Sequence, residues 1–157
     1  YFGDKYSKPL NVSVDHQGKK IFVKMGSYGV GVSRLVGAII EAKYNDKDEI
    51  MKWPLSVSPF DCAIIPLLNK SDYTNLLKGI KIYKYMKSKN IDVIIDDTDE
   101  NFSSKLKKFN LLGIPYQIII GKKSEGDLIE FNEIGKSSKH LSIDKIIELI
   151  INKKKIN

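Results

Sequence analysis

The sequence predicts an α/β protein built in two parts, and three observations lead to that fold class. Beyond the first third of the chain, short runs rich in isoleucine and valine alternate with helical segments in the order βαβαββα. Pro54 and Pro59 interrupt the chain just before those runs. The preceding residues contain only two short strands and one amphipathic helix. We therefore expect a strand-rich part over residues 1–53, a linker over 54–59, and over 60–157 a three-layer α/β domain with a mixed, mostly parallel sheet.

The first part is predicted to contain a hairpin followed by a helix. Residues 11–14 and 20–25 have the composition of strands and can pair across the turn at 15–18. Residues 32–42 are predicted to be helical because apolar side chains recur there at every third or fourth position; these are Val32, Leu35, Val36, Ile39 and Ile40. We expect that apolar stripe to face the core, and the polar residues 44–49 to form an exposed loop.

The second part is predicted to alternate strands and helices. Strands are expected at 62–67, 91–95, 116–120 and 127–131, with a turn at 122–126, and helices at 71–87, 101–109 and 142–151. Ser71 is the expected N-cap of the first of these helices, and its expected buried face consists of Tyr73, Leu76, Leu77, Ile80 and Tyr83. Parallel sheets bind ligands beyond the carboxyl ends of their strands, where the acidic residues 96–100 are predicted to lie. Such a run can bind magnesium, and it is also typical of an acidic loop before a helix.

Composition restricts the classes of function. Of the 157 residues, 42% are hydrophobic and 29% are charged, which is typical of a globular protein. The longest apolar runs are far shorter than the ~20 residues that cross a bilayer, so no membrane interaction is predicted. The single cysteine, Cys62, is expected in the core, and His16 and His140 have no spaced partners, so no metal site is predicted. The net charge of +7 suits a polyanionic partner, although scattered lysines are also typical of a solvated surface.

Arg34 is the only arginine among 26 basic residues. In a chain that otherwise uses lysine, a single arginine indicates that position 34 requires a planar, forked guanidinium group. Such a group is suited to binding a phosphate or a flat ring. Gly26, Gly29 and Gly31 precede it, at the start of the predicted helix, and would let a ligand approach the backbone. The spacing alone leaves two interpretations open, a nucleotide site or a glycine-rich turn with one surface arginine.

The residue types in this segment are more specific than their spacing. Residues 26–36, GSYGVGVSRLV, closely resemble the third signature motif of prolyl-tRNA synthetases, a subgroup of class II aminoacyl-tRNA synthetases. Residues 53–60, WPLSVSPF, resemble the join between catalytic core and anticodon-binding domain, and 96–100 with 111–121 resemble the core of the latter domain. The chain begins with Tyr1 rather than methionine, and we expect it to be the C-terminal part of a bacterial-type enzyme.

The resemblance implies a catalytic role for the first part. Residues 1–53 would be the end of the antiparallel class II catalytic core, in an enzyme that activates proline with ATP and Mg²⁺ and transfers it to proline tRNA. Gly29, Gly31 and Arg34 would bind ATP, with Arg34 as the catalytic residue, and Gly26 and Ser27 would line the proline and adenylate pocket. The parent enzyme is expected to be a cytoplasmic homodimer. The family's other two signature motifs are not among these residues, so the chain alone is expected to be inactive.

The resemblance also implies anticodon recognition by the second part. Glu100 and Lys105 stand at positions where the family places an acidic and a basic anticodon-binding residue, and Phe102 is a candidate for stacking on a base. Phe102 has the alternative of packing into the core. The chain departs from the usual pattern at two points, with Asn-Phe-Ser over 101–103 in place of Arg-Pro-Gly, and with Lys108 in place of an aspartate.

Two other functions fit parts of the sequence. A synthetase-like module without catalysis could keep the anticodon-binding fold, although such a module has no evident need for the glycines and Arg34. A threonyl or glycyl enzyme of the same subgroup would share the join at 53–60. We expect prolyl specificity because residues 26–36 match that motif most closely.

Overall fold

A computed structural model describes residues 1–68, 72–121 and 127–156, and the chain divides into two compact units, Tyr1–Val36 and Gly37–Asn157. The domain division predicted from the sequence, with its linker at 54–59, stays a prediction. The expected N-cap Ser71 and the expected turn at 122–126 lie outside the described residues.

The first unit contains the expected hairpin. Strands β1 (Ser13–His16) and β2 (Lys19–Phe22) pair in antiparallel fashion. Gln17 and Gly18 connect them, and both have positive φ, as a two-residue hairpin turn requires. The turn is therefore shorter than predicted, because Asp15 and His16 belong to the strand.

Helix α1 (Val32–Lys43) begins at the predicted residue, but its apolar stripe is not a core surface. None of its residues is buried, and Val32 and Val36 are more than half exposed. The expectation that the stripe faces the core is wrong for the described chain, because an amphipathic pattern specifies an apolar face and not the surface that covers it.

The segment after α1, predicted to be an exposed loop, contains two short paired strands. These are β3 (Tyr44–Asn45) and β4 (Ile50–Met51). Side-chain hydrogen bonds inside the turn hold them together, since the Asn45 amide donates to Asp48 at 2.7 Å. Met51 is almost completely buried, so the end of this hairpin belongs to the core of the second unit.

The rest of the second unit is an α/β domain. Its elements are β5 (Cys62–Pro66), α2 (Thr74–Ser88), β6 (Val93–Ile95), α3 (Phe102–Leu112), β7 (Tyr116–Ile120), β8 (Leu128–Glu133), β9 (Lys139–Ser142) and α4 (Ile143–Ile156). The sheet order is β6-β5-β7-β8-β9. Strands β6, β5 and β7 are parallel, whereas β8 and β9 join in antiparallel fashion. A mixed sheet is thus confirmed, but only half of its strand pairings are parallel.

Helices cover both faces of the sheet, which gives three layers. Residues of α2 and α4, including Met86 and Ile150, form the larger core with the sheet residues Ile64 and Ile118. Phe109 of α3 packs against the opposite face. The expected buried face of α2 is displaced, because Gly79, Ile82 and Met86 are its buried residues, whereas Tyr73 and Leu77 are largely exposed.

Three further observations concern the chain's composition. Cys62 is fully buried, as expected, and burial raises the pKa of its thiol well above the ordinary value. Both histidines are exposed. Among the helices of the described ranges, none is long and apolar enough to cross a membrane.

Candidate nucleic-acid interface

The carboxyl ends of the three parallel strands lie at one edge of the sheet, where α/β proteins bind ligands. The acidic segment 96–100 leaves β6 at this edge and leads into α3. Asn101 caps the helix, because its side-chain oxygen accepts a hydrogen bond from the Ser104 amide at 2.9 Å. The cap fixes the position of segment 96–100 relative to the helix.

Beneath this segment is a buried ion pair between Asp96 and Lys105. The Lys105 ammonium lies 3.3 Å from Asp96 Oδ1, and the side chains are 2% and 0% exposed, respectively. The ammonium also donates to the carbonyl oxygens of Pro66 at 3.3 Å and Asp96 at 3.4 Å. All three of its donors are therefore engaged, and they tie α3 to the ends of β5 and β6.

Lys108 connects the buried pair to the surface. Its ammonium lies 3.1 Å from Asp96 Oδ2 and 3.1 Å from Glu100 Oε2. The side chains of Lys108 and Glu100 are 35% and 45% exposed, so both reach solvent. We call Asp96, Glu100, Lys105 and Lys108 the strand-end cluster. It contains two carboxylates and two ammonium groups, and its formal charge is zero.

The ionisation of Asp96 is set by opposing effects. Burial alone would raise the pKa of this carboxyl. The hydrogen bonds from Thr98 and the ammonium groups of Lys108 and Lys105 outweigh burial, so the pKa lies below its ordinary value of 3.8. Hydrogen bonds to Glu100 and Asp96 raise the pKa of Lys108. Asp96 and Lys108 are therefore both charged at neutral pH.

Acid is expected to destabilise the α/β domain through Asp96. Because its folded-state pKa is lowered, its stabilising contribution is complete above about pH 4 and is lost as the pH falls through that pKa. Urea unfolding followed by Trp53 fluorescence should show this decrease between neutral pH and about pH 3. In the Asp96→Asn variant the stability should decrease less on acidification. In the control Asp97→Asn, which changes an exposed residue, the stability should decrease as much as in the unmodified chain. The same acid dependence in Asp96→Asn and the unmodified chain would contradict this assignment.

The three residues predicted to meet the anticodon have different environments. Glu100 is exposed, next to Lys108. Phe102 is 36% exposed in the first turn of α3 and is not a buried core residue. Lys105 is completely buried, so its side chain offers no surface to RNA in this conformation. Sequence reasoning did not identify Lys108 as a site residue, although its spacing of three from Lys105 places both lysines on one side of α3.

The other end of α3 is fastened by residues 51–53, which we call the strap. Met51 packs on Gly113, the left-handed C-cap residue of α3 with φ of 72°. Lys52 forms a 2.8 Å ion pair with Glu133 on β8. The Trp53 backbone amide donates to Gly113 O and its indole to Leu112 O, both at 3.0 Å. The strap therefore satisfies carbonyl groups at the end of α3.

The glycine-rich motif lies in the first unit. Gly26, Ser27, Gly29 and Gly31 are exposed and precede α1, and Arg34 is exposed in its first turn. The Gly31 carbonyl accepts hydrogen bonds from the amides of Arg34 and the next residue, at 3.0 and 3.1 Å. None of these glycines has positive φ, so the backbone itself does not require them. At Gly29 the absence of a side chain leaves the backbone open to a ligand, because a Cβ atom there would meet nothing within 4 Å. Gly26 lies against the ring of Tyr28 instead, where a Cβ atom would be 2.9 Å from the nearest ring atom.

The Arg34 side chain is available for a ligand. Across residues 1–68, 72–121 and 127–156, it forms no ion pair. The same described ranges contain no group of three or more histidine, cysteine, aspartate or glutamate side chains that could hold a metal ion.

Together the sheet order and the helices on both faces define a three-layer α/β domain, and its charged strand-end edge is the place where domains of this architecture bind ligands. The family described as anticodon binding domain matches residues 61–153, which is nearly the whole of this domain. The chain belongs to the anticodon binding domain family.

Relatives confirm the resemblance to prolyl-tRNA synthetases. A proline–tRNA ligase of Pelagibacter ubique is 65% identical over 155 residues, which cover 98% of this chain and 35% of that protein. Proline–tRNA ligases of a Wolbachia from Brugia malayi and of Sulfurihydrogenibium are 48% and 41% identical, covering 82% and 96% of this chain and 29% and 26% of those proteins. The chain therefore spans about a third or less of the length of these relatives.

Proposed function

We propose that the chain is part of a proline–tRNA ligase and recognises the anticodon of proline tRNA. Membership of residues 61–153 in the anticodon binding domain family is the observation that carries this proposal. The names of the relatives support proline as the amino acid. The whole enzyme would act in the cytoplasm as a homodimer, with ATP, proline and proline tRNA as substrates and Mg²⁺ as cofactor.

In that enzyme, the first unit would contribute to proline activation. Arg34 would hold the ATP phosphates and stack on the adenine, which stabilises charge and positions the reactants without a proton transfer. Gly29 and Gly31 would lie beneath the nucleotide, and Gly26 and Ser27 would line the proline and adenylate pocket. The exposed, unpaired guanidinium of Arg34 and the open backbone before α1 support this role.

The second unit would bind the anticodon at the carboxyl edge of its parallel strands. Glu100 would accept hydrogen bonds from a guanine, and Phe102 would stack on a base from the start of α3. Lys105 would contribute to anticodon binding indirectly, since its buried ammonium holds segment 96–100 against α3. In this proposal Lys105 is a positioning residue.

Binding of the chain to proline tRNA tests the anticodon role. Affinity is expected to fall by about 10-fold or more when the anticodon guanines are replaced, because each good base contact contributes roughly 1–3 kcal/mol. Dissociation constants measured at two salt concentrations would separate this loss from a nonspecific charge effect. Equal and strongly salt-dependent binding of both RNAs would contradict anticodon recognition by this chain.

A further inference from the structure

Lys108 is the basic member of the strand-end cluster that RNA can reach. The Lys105 side chain is fully buried, and its donors are engaged by Asp96 and the Pro66 carbonyl. Lys108 is 35% exposed and lies 3.1 Å from Glu100, the exposed carboxylate of the same cluster. An acceptor and a donor therefore stand side by side at the surface.

The hydrogen-bonding capacity of this pair is not exhausted. An ammonium group has three donors, and two of those of Lys108 are engaged, one by Asp96 Oδ2 and one by Glu100 Oε2. Oε2 of Glu100 accepts from Lys108, and within the described chain no hydrogen bond to Oε1 of Glu100 occurs. One donor and at least one acceptor oxygen remain for a ligand. The pair can accept a ligand without losing its contact with Asp96.

The arrangement matches the chemistry of guanine. The Watson–Crick edge of guanine carries two adjacent donors, at N1 and N2, beside one acceptor, O6. A carboxylate can accept from both donors, and an ammonium group next to it can donate to O6. No other standard base presents two adjacent donors and an acceptor in that order.

We propose that the Glu100–Lys108 pair reads one guanine of a single-stranded RNA loop, with Glu100 accepting from N1 and N2 and Lys108 donating to O6. This inference rests on the proposed function and adds Lys108 as a specificity-determining residue. Asp96 holds the Lys108 ammonium in place from beneath, and Lys105 neutralises Asp96. The formal charge of the cluster is zero, so the pair contributes to base discrimination more than to general attraction for RNA.

The test uses the full chain and the anticodon stem-loop of proline tRNA. Three RNAs carry guanine, 6-thioguanine or adenine at the same anticodon position; 6-thioguanine keeps the N1 and N2 donors but replaces O6 with a weakly accepting sulfur. Lys108→Met should weaken binding of the guanine RNA by about 10- to 100-fold, because a charged hydrogen bond is lost. It should also abolish the preference for guanine over 6-thioguanine.

Lys107→Met is the matched control, since Lys107 is exposed on the same helix and is its immediate neighbour. It should lower affinity by less than about 3-fold and leave the base preference unchanged. Lys108→Arg keeps a cationic donor and should retain the preference for guanine over 6-thioguanine. Thermal unfolding of each variant establishes that the fold is kept.

The outcomes separate this inference from the proposed function. If Lys108→Met keeps the guanine preference of the unmodified chain, or loses no more affinity than Lys107→Met, Lys108 does not read O6 and only the inference is overturned. If the unmodified chain itself binds the guanine and adenine RNAs equally, the proposed anticodon role is overturned together with it.

Discussion

Replacing Lys105 with methionine is expected to destabilise the α/β domain by about 3–5 kcal/mol, the cost typical of removing one partner from a buried ion pair. The substitution keeps the apolar stem and removes an ammonium group that lies 3.3 Å from Asp96 Oδ1. The carbonyl groups of Pro66 and Asp96 lose the same donor. Lys108 remains beside Asp96, but it is partly exposed and cannot reproduce these contacts.

Urea unfolding followed by the fluorescence of Trp53 measures this loss. Lys107→Met removes an exposed charge from the same helix and should cost less than about 1 kcal/mol. Adding Asp96→Asn to Lys105→Met should recover part of the lost stability, because the carboxylate that has lost its buried partner is then replaced by a neutral side chain. A loss below about 1 kcal/mol in Lys105→Met would show that the ion pair does not stabilise the domain.

Replacing Gly113 with alanine is expected to cost about 2–4 kcal/mol of unfolding free energy. Two effects combine. Gly113 has φ of 72°, which is unfavourable for a residue with a side chain, and a Cβ atom there would lie 2.6 Å from Met51 Cγ. It would also lie 3.0 Å from the Met51 carbonyl oxygen, so a rotamer change of Met51 cannot relieve the whole clash and the strap must move.

Gly135→Ala is the matched control for the backbone effect. Gly135 has φ of 79°, and no heavy atom lies within 4 Å of the position its Cβ would take. Its substitution should cost only about 1–2 kcal/mol, the penalty of the left-handed conformation. Urea unfolding of both variants measures the difference between their losses of unfolding free energy. Equal losses would mean that the close approach of Met51 to Gly113 has no energetic effect.

The elements with strong local signals could be predicted from the sequence. The sequence predicts strand β7 at 116–120, where it occurs, because three consecutive isoleucines there are followed by a glycine. Strand β9 was not expected, since its sequence begins with lysine and histidine. Such charged, short strands are typical of sheet edges, and β9 forms only through its pairing with β8.

The candidate site was predictable only in part. Glu100 and Phe102 were expected near RNA and are exposed, but no observation tests their binding roles. The burial of Lys105 could not be predicted, because lysine is ordinarily exposed and the acceptors that stabilise it come from two other segments, ending at Pro66 and Asp96. The strap was missed for a related reason, since Trp53 and its acceptor Leu112 are 59 residues apart in the chain.

The strap gives the domain a structural boundary that differs from its boundary in sequence. The family match begins at residue 61, whereas Met51 and Trp53 contact the end of α3 and Lys52 pairs with Glu133 on β8. A recombination event between two relatives that joins their genes near residue 60 would pair the strap of one parent with the α3 of the other. A crossover upstream of the β3–β4 hairpin would keep the strap and α3 from the same parent.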